Sequence, residues 1–425
     1  MIRFGLGPRL GETPPPDPVA WLEAQLEGPD PLLATPAPST RDGLDLLRLD
    51  DEARRRDGAN AIGRVSLVFN IETLAILHNL LRTEVPFRER LVWFWCNHFT
   101  ASARAGEQVL TSLPSYVRSA IRPHVNGRFE DMVSAVMHHP AMLSYLDNVG
   151  SVGPNSRVGR EGHRGWNENL ARESLELHTV TAAAGYTQTD IIEYAKILTG
   201  WGWEIPMHTD GFLFRPDGHE PGPKTVLGRV FPAGEEGGRA AIAFLADHPM
   251  THRNLATRLV RHFVADDPPP SAVRRIETVL RDTKGDLRAA SLALIALPEA
   301  WHPMTKLRSP WDYIVGVLRA LGVRTFDREE FTDALAAMGE PFFGAPFPNG
   351  YPDTAADWAS GEDMMRRVDW TYRLAAAYGD IDPNALATTC LGDLASAETL
   401  AGVRRAGSRR DALTLLLASP EFQRR

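Results

Sequence analysis

The run Asn167-Glu168-Asn169-Leu170-Ala171-Arg172-Glu173-Ser174-Leu175-Glu176-Leu177-His178 gathers carboxamides, carboxylates, a guanidinium and an imidazole into little more than three helical turns. At about 100° per residue, Glu168, Asn169, Arg172, Glu173 and Glu176 fall on one continuous stripe, and leucines occupy much of the rest. Asn167, Ser174 and His178 share a separate position between two of those leucines. Glu173 and Glu176 sit three residues apart, where two carboxylates share a proton or hold a hard cation through oxygen ligands. Arg172 offers a planar fork to an anionic group, with Glu168 and Asn169 on the same stripe, and Asn167 at the start of the run, as further substrate contacts. The plain alternative is an amphipathic helix whose stripe faces water, with Glu168 and Arg172 as an ordinary i,i+4 pair.

Two histidines extend the set. His98 follows Leu91, Phe94 and Trp95 at helical spacing, on an apolar face. There it is either a core histidine bonded to a backbone carbonyl or a general base in a dry setting. His178 is a proton carrier by residue type, but it projects away from the acidic stripe. The spacing matches neither HExxH nor the ExxH of di-iron bundles, so a divalent cation at Glu173 and Glu176 needs ligands from elsewhere. Asp147 closes an apolar helix and faces Asn167 across a glycine-rich loop, which makes it a neighbour of the stripe. Asn97 is expected to be a structural hydrogen-bonder.

The elements that position these groups are helical almost throughout. Apolar residues recur at helical spacing over about 71–84, 87–99, 109–121, 128–137, 140–147, 167–182 and 188–199. The pattern resumes at 238–247, 251–265, 270–281, 285–297 and 309–321, and again at 328–338, 361–378, 397–404 and 409–418. Residues 1–42 are proline-rich around one short helix. Residues 149–166 form a glycine-rich loop carrying Arg157, Arg160, His163 and Arg164. Between 200 and 238, Phe212–Arg215 and Thr225–Phe231 read as two short strands of one β-hairpin, at about 211–231. The expected architecture is all-α, a single large helical domain over 1–425 with that one excursion.

Composition narrows the function. The chain has 425 residues, 43% hydrophobic and 24% charged, with a net charge of −8 and no basic run. Nucleic acid and anionic membrane surfaces need clustered positive charge, so neither is an expected partner. Cys96 and Cys390 are too far apart for a CxxC site. Met1–Pro8 contains no apolar leader and no stretch is long enough to span a bilayer, so a cytoplasmic location is the expectation. A GxSxG elbow, a Walker loop, a dinucleotide fingerprint and a haem-attachment CxxCH are all missing.

With Trp93-Phe94-Trp95-Cys96-Asn97-His98-Phe99, the 167–178 run, Gly185–Gln188 and Leu198–Trp201, the chain resembles the bacterial uncharacterised family catalogued as domain of unknown function number eighteen hundred. Further matches are His219–Gly228, His248-Pro249, Phe263–Pro269, Gly350-Tyr351-Pro352-Asp353-Thr354 with Trp358, and Ser419–Gln423. The resemblance covers almost the whole chain. It implies one large, mostly helical unit and no particular activity, and many relatives carry export signals.

Two functional expectations follow. One is an acid/base or cation-assisted hydrolase or transferase acting on a polar small molecule in a cleft lined by the 167–178 helix. In it Glu173, Glu176, His98 and His178 are catalytic, and Asn167, Glu168, Asn169, Arg172 and Asp147 bind substrate. The other is a non-catalytic helical scaffold with a buried polar network that binds a protein partner.

Overall fold

Pro86 opens the helix Pro86–His98, and Pro249 and Pro310 do the same for Pro249–Phe263 and Pro310–Ala320. Proline is well placed there, because its missing N–H lies among the donors a helix leaves unused. His248 caps the second helix through Nδ1, which accepts from the Met250 N–H (3.1 Å), and Ser309 caps the third. The computed structural model describes residues 1–58, 63–162, 165–204, 211–301 and 304–425. Among them it is built from α-helices with two small two-stranded antiparallel sheets, which agrees with the expected mostly-α architecture. None of the helices in these residues is long and apolar enough to cross a membrane.

The two expected strands do not pair with each other: Thr225–Phe231 is itself a hairpin, and Phe212–Phe214 pairs with a strand not expected from the sequence. Phe212–Phe214 pairs with Trp201–Trp203, while Lys224–Val226 pairs with Arg229–Phe231. The second pair turns on Leu227 and Gly228, both at positive φ (47° and 75°), which a tight two-residue hairpin demands. That turn closes a hairpin within 224–231 and leaves Phe212–Phe214 to take an earlier strand.

The glycine-rich loop is also more ordered than its composition suggests. Arg157–Gly162 is a short helix, Gly153 N–H donates to Gly218 O (2.9 Å), and Glu220 accepts from both the backbone and the side chain of Asn155. His163 and Arg164 lie outside the described residues.

Two groups of buried apolar side chains make the interior. The first runs through Leu91, Trp95, Phe99, Phe129 and Met132, the second through Leu77, Tyr313, Ile314, Leu335 and Leu413. Phe343 packs against both. The N-terminal segment is tied to the first group: Phe4 stacks on Phe263, and Arg3 donates to the carbonyls of Phe263 (3.2 Å) and Val264 (2.8 Å), which end a helix.

Candidate functional site

A cavity of about 700 Å³ opens between the two apolar groups. Its walls come from Pro86–His98, the end of Pro249–Phe263, the first turn of Pro310–Ala320 and the loop over 339–358. Arg90, Trp93, Phe94 and Asn97 follow the i, i+3, i+4, i+7 rule and so share the face that lines it. Arg258, Arg261 and His262 do the same on the second helix, whose opposite side buries Leu255, Ala256, Leu259 and Val260. Trp93 forms the aromatic wall with Trp311 (centroids 5.7 Å apart), Phe342 (5.6 Å) and Phe343 (5.7 Å).

The loop is held by its backbone. The Asn97 carboxamide donates to Tyr351 O (2.9 Å) and accepts from Tyr351 N–H (2.8 Å), so one side chain mimics a strand partner. Gly350 has φ +76°, and a Cβ there would lie 2.5 Å from both Asn97 O and Oδ1. Only glycine allows that approach. The Trp358 indole donates to Pro352 O (3.0 Å). Together these bonds deliver Asp353 to the cavity.

Asp353 is the centre of a charged cluster. Its Oδ2 accepts from His262 Nδ1 (2.7 Å), and Lys306 (3.4 Å) and Arg425 (3.5 Å) approach Oδ1. Burial alone would push this carboxyl up. His262 first, then Arg425 and Lys306, hold it well below the usual carboxylate range. Asp312 is paired with Arg90 (2.7 Å) and Arg425 (2.6 Å), and despite burial it is lowered to about 2.

His262 is lowered to about 4, because burial outweighs the attraction of Asp353. At neutral pH the ring is therefore uncharged, with its proton on Nδ1 facing the carboxylate. Nε2 is buried, with a lone pair and no hydrogen-bond partner among the described residues. Glu340 lines the same cavity and is raised to about 7 by burial, against the N–H of Trp311 (2.7 Å to Oε2) and the Ser309 hydroxyl, which favour its charged form.

His98 lies at the back of the cavity. Arg258 donates to its Nδ1 (2.7 Å), and a guanidinium has nothing to accept with, so the ring proton is on Nε2 and donates to His178 O (3.1 Å). Burial first, then Arg258 and His178, keeps His98 well below its ordinary value. Both nitrogens are engaged, which is the core-histidine arrangement. His178 is fully buried and lowered to about 3 by burial and Arg258; neither ring nitrogen has a partner among the described residues.

The stripe sits elsewhere. None of its residues is in the lining of the cavity. The expected helix over 167–182 is Asn169–Glu173 followed by a wider π-helical turn, Ser174–His178. Asn167 precedes it, and its Oδ1 accepts from the Asn169 N–H (2.8 Å). Glu168 pairs with Arg172 (2.7 Å), and Gln188 donates to the same Glu168 oxygen (2.8 Å). Asn169 donates to Asp147 (3.3 Å), so that pair does meet, on an exposed surface. Glu173 is half-buried and raised by burial and then by Glu176, which is itself exposed. Among the described residues, no three His, Cys, Asp or Glu side chains gather closely enough to hold a metal ion, so the acidic pair finds no third protein ligand.

The run nevertheless touches the cavity from behind. His178 O and Leu177 O are bonded by His98 and Arg258 (3.4 Å to Leu177 O), and Asn254 donates to Thr179 O (2.9 Å). Two of the carbonyls that a helix end leaves open are thus taken by the cavity-wall side chains His98 and Arg258.

The order of these motifs along one chain matches a single family model over residues 1–424, described as Protein of unknown function (DUF1800). The chain belongs to the DUF1800 family. No curated protein and no solved structure matches it. For this DUF1800 chain, residue reasoning missed His262 and Asp353. They lie 91 positions apart, and no periodicity links them. The signal available was that both fall in or next to family-resembling motifs, Gly350–Thr354 and Phe263–Pro269.

Proposed function

We propose that the cavity is an active site for acid–base chemistry, of the hydrolytic or group-transfer kind. His262 is the general base, oriented by Asp353, and Glu340 is the general acid. The observation that carries this reading is the His262–Asp353 pair. A neutral imidazole whose Nδ1–H is fixed by a carboxylate presents Nε2 as an acceptor, the arrangement that activates a water or hydroxyl nucleophile. Glu340 supports it, because two titratable groups pushed apart in one cavity are suited to opposite roles. Asp353 is a positioning residue, and Cys96 is a poor nucleophile because burial pushes its thiol up.

The test is turnover of a panel of chromogenic aryl esters and phosphate esters by the wild type and by His262→Gln. The expected pH profile has a rising limb near pH 4 from His262 and a falling limb near pH 7 from Glu340. The variant should lose at least ~100-fold in rate, with its melting temperature unchanged within a few degrees. Full activity in His262→Gln overturns the assignment.

A second reading has its own support. Arg90, Asp312, Arg425 and Asp353 form a continuous chain of ion pairs, most of it buried, of the sort that fixes a scaffold. Wild-type protein inert toward the whole panel favours that reading.

A further inference from the structure

The cavity holds more positive charge than its own carboxylates use. Asp312 is taken by Arg90 and Arg425, and Asp353 by His262, Lys306 and Arg425. Asp357 is exposed and accepts from the Thr354 hydroxyl (2.5 Å). Glu340 is about half protonated at neutral pH and His262 is uncharged.

What remains is Arg258 and Arg261. Among the described residues Arg258 hydrogen-bonds only neutral groups, His98 Nδ1 and Leu177 O, with Asp353 acting on it across space without a direct contact. Arg261 makes no ion pair among the described residues, and its Nε is buried without a partner. The two stand three residues apart on one helix, where side chains are neighbours, and both line the cavity. Two guanidiniums that repel each other in a half-buried setting are costly unless an anion joins them. A planar oxyanion such as a carboxylate fits the fork of each. The same cavity is lined by the cluster of Trp93, Trp311, Phe342 and Phe343, rings with no charge of their own.

Resting on the reading of this cavity as the ligand site, we infer that its substrate class is a flat aromatic anion: a planar apolar body against the Trp93 wall and an oxyanion on Arg258 and Arg261. The charge count favours an anion, and the wall favours a ring over a flexible chain, because stacked rings gain beyond the area they bury.

The experiment is calorimetric titration of the full chain with 2-naphthoate, with its neutral isostere 2-naphthamide, and with inorganic sulfate. The carboxylate should bind at least tenfold more tightly than the amide and than sulfate. Arg261→Gln should reduce naphthoate to the affinity of the amide and leave the amide unchanged. Should that variant fold poorly, salt gives the same answer in the wild type: raising it from low to high weakens naphthoate several-fold and leaves naphthamide unmoved. Equal binding of acid and amide, binding of neither, or a preference that survives Arg261→Gln overturns the anion site; sulfate binding as tightly as naphthoate overturns the aromatic half. None of these readouts needs turnover. If the wild type prefers naphthoate yet is inert toward the whole ester panel, the acid–base reading fails and this one stands; if Arg261→Gln keeps the preference while His262→Gln kills turnover, the reverse holds.

Discussion

Replacing Glu340 by Gln should change how stability depends on pH, in a direction the structure fixes. Folding raises this carboxyl from 4.5 to about 7, chiefly through burial, with Asp312 adding to the rise. The folded state therefore binds the proton more tightly than the unfolded chain does. The stability this provides is fully present below pH 4.5 and is lost as pH climbs through about 7. The interval is about 2.5 pH units, and at about 1.4 kcal/mol each it amounts to roughly 3 kcal/mol. The side chain keeps partial contact with water, so screening brings the expected effect nearer ~2 kcal/mol. Gln still accepts from the Trp311 N–H and has no proton to lose. Urea unfolding of both proteins from pH 4.5 to 8.5 isolates the effect, since the other titrating groups largely cancel in the difference. Relative to the variant, the wild type should lose ~2 kcal/mol of stability between pH 4.5 and pH 8.5. A difference that stays level within about 0.5 kcal/mol, the usual scatter of surface substitutions, would show that Glu340 titrates like an exposed carboxylate, and the general acid would be lost with it.

Asp353→Asn removes the anion facing His262, Lys306 and Arg425. It should cost about 3–5 kcal/mol in urea unfolding, the penalty for leaving buried charge uncompensated, and a cost under 1 kcal/mol would mean the cluster is well hydrated. Gly350→Ala forces a Cβ to 2.5 Å from Asn97 Oδ1 at φ +76°. It should destabilise by ~2 kcal/mol or more, and Tyr351 N–H should lose its slow hydrogen exchange. Glu173→Gln touches a half-buried stripe outside the cavity lining. Its melting temperature should stay within a few degrees and its activity on the ester panel within twofold, so a collapse in activity would return the chemistry to the stripe.

The sequence was easiest to read where the physics is local. Proline at a first turn and leucines at helical spacing place Pro86–His98, Pro249–Phe263 and Pro310–Ala320 within two residues or so of their observed ends. Strand pairing needed tertiary information: Phe212–Phe214 is as good a partner for 224–231 by composition as for Trp201–Trp203, and only the Leu227-Gly228 turn decides. The site is harder still. Its proposed acid and base come from segments that periodicity cannot relate, and Asp353 reaches His262 because Asn97, 254 positions from Tyr351, supplies a strand-like edge for the loop. Asn97 was legible as a hydrogen-bonder by residue type, but its partner was not.

The density of polar residues in 167–178 also has a physical account that composition alone conceals. It is two features laid end to end. Glu168, Asn169, Arg172 and Glu176 form a solvated face with i,i+4 and cross-segment pairs worth only a few tenths of a kcal/mol each. At Ser174 the helix widens, Thr179 Oγ1 bonds back to Ser174 O (2.6 Å), and the end of the segment becomes buried. A wider turn leaves carbonyls poorly matched to partners within the helix. Here Arg258 and His98 fill that role, which means the open end of this helix orients two side chains of the cavity wall. An imidazole held between a guanidinium and a carbonyl has a fixed tautomer, and it in turn holds Arg258 in place. The run is therefore coupled to the cavity through its backbone, even though its charged side chains face the other way.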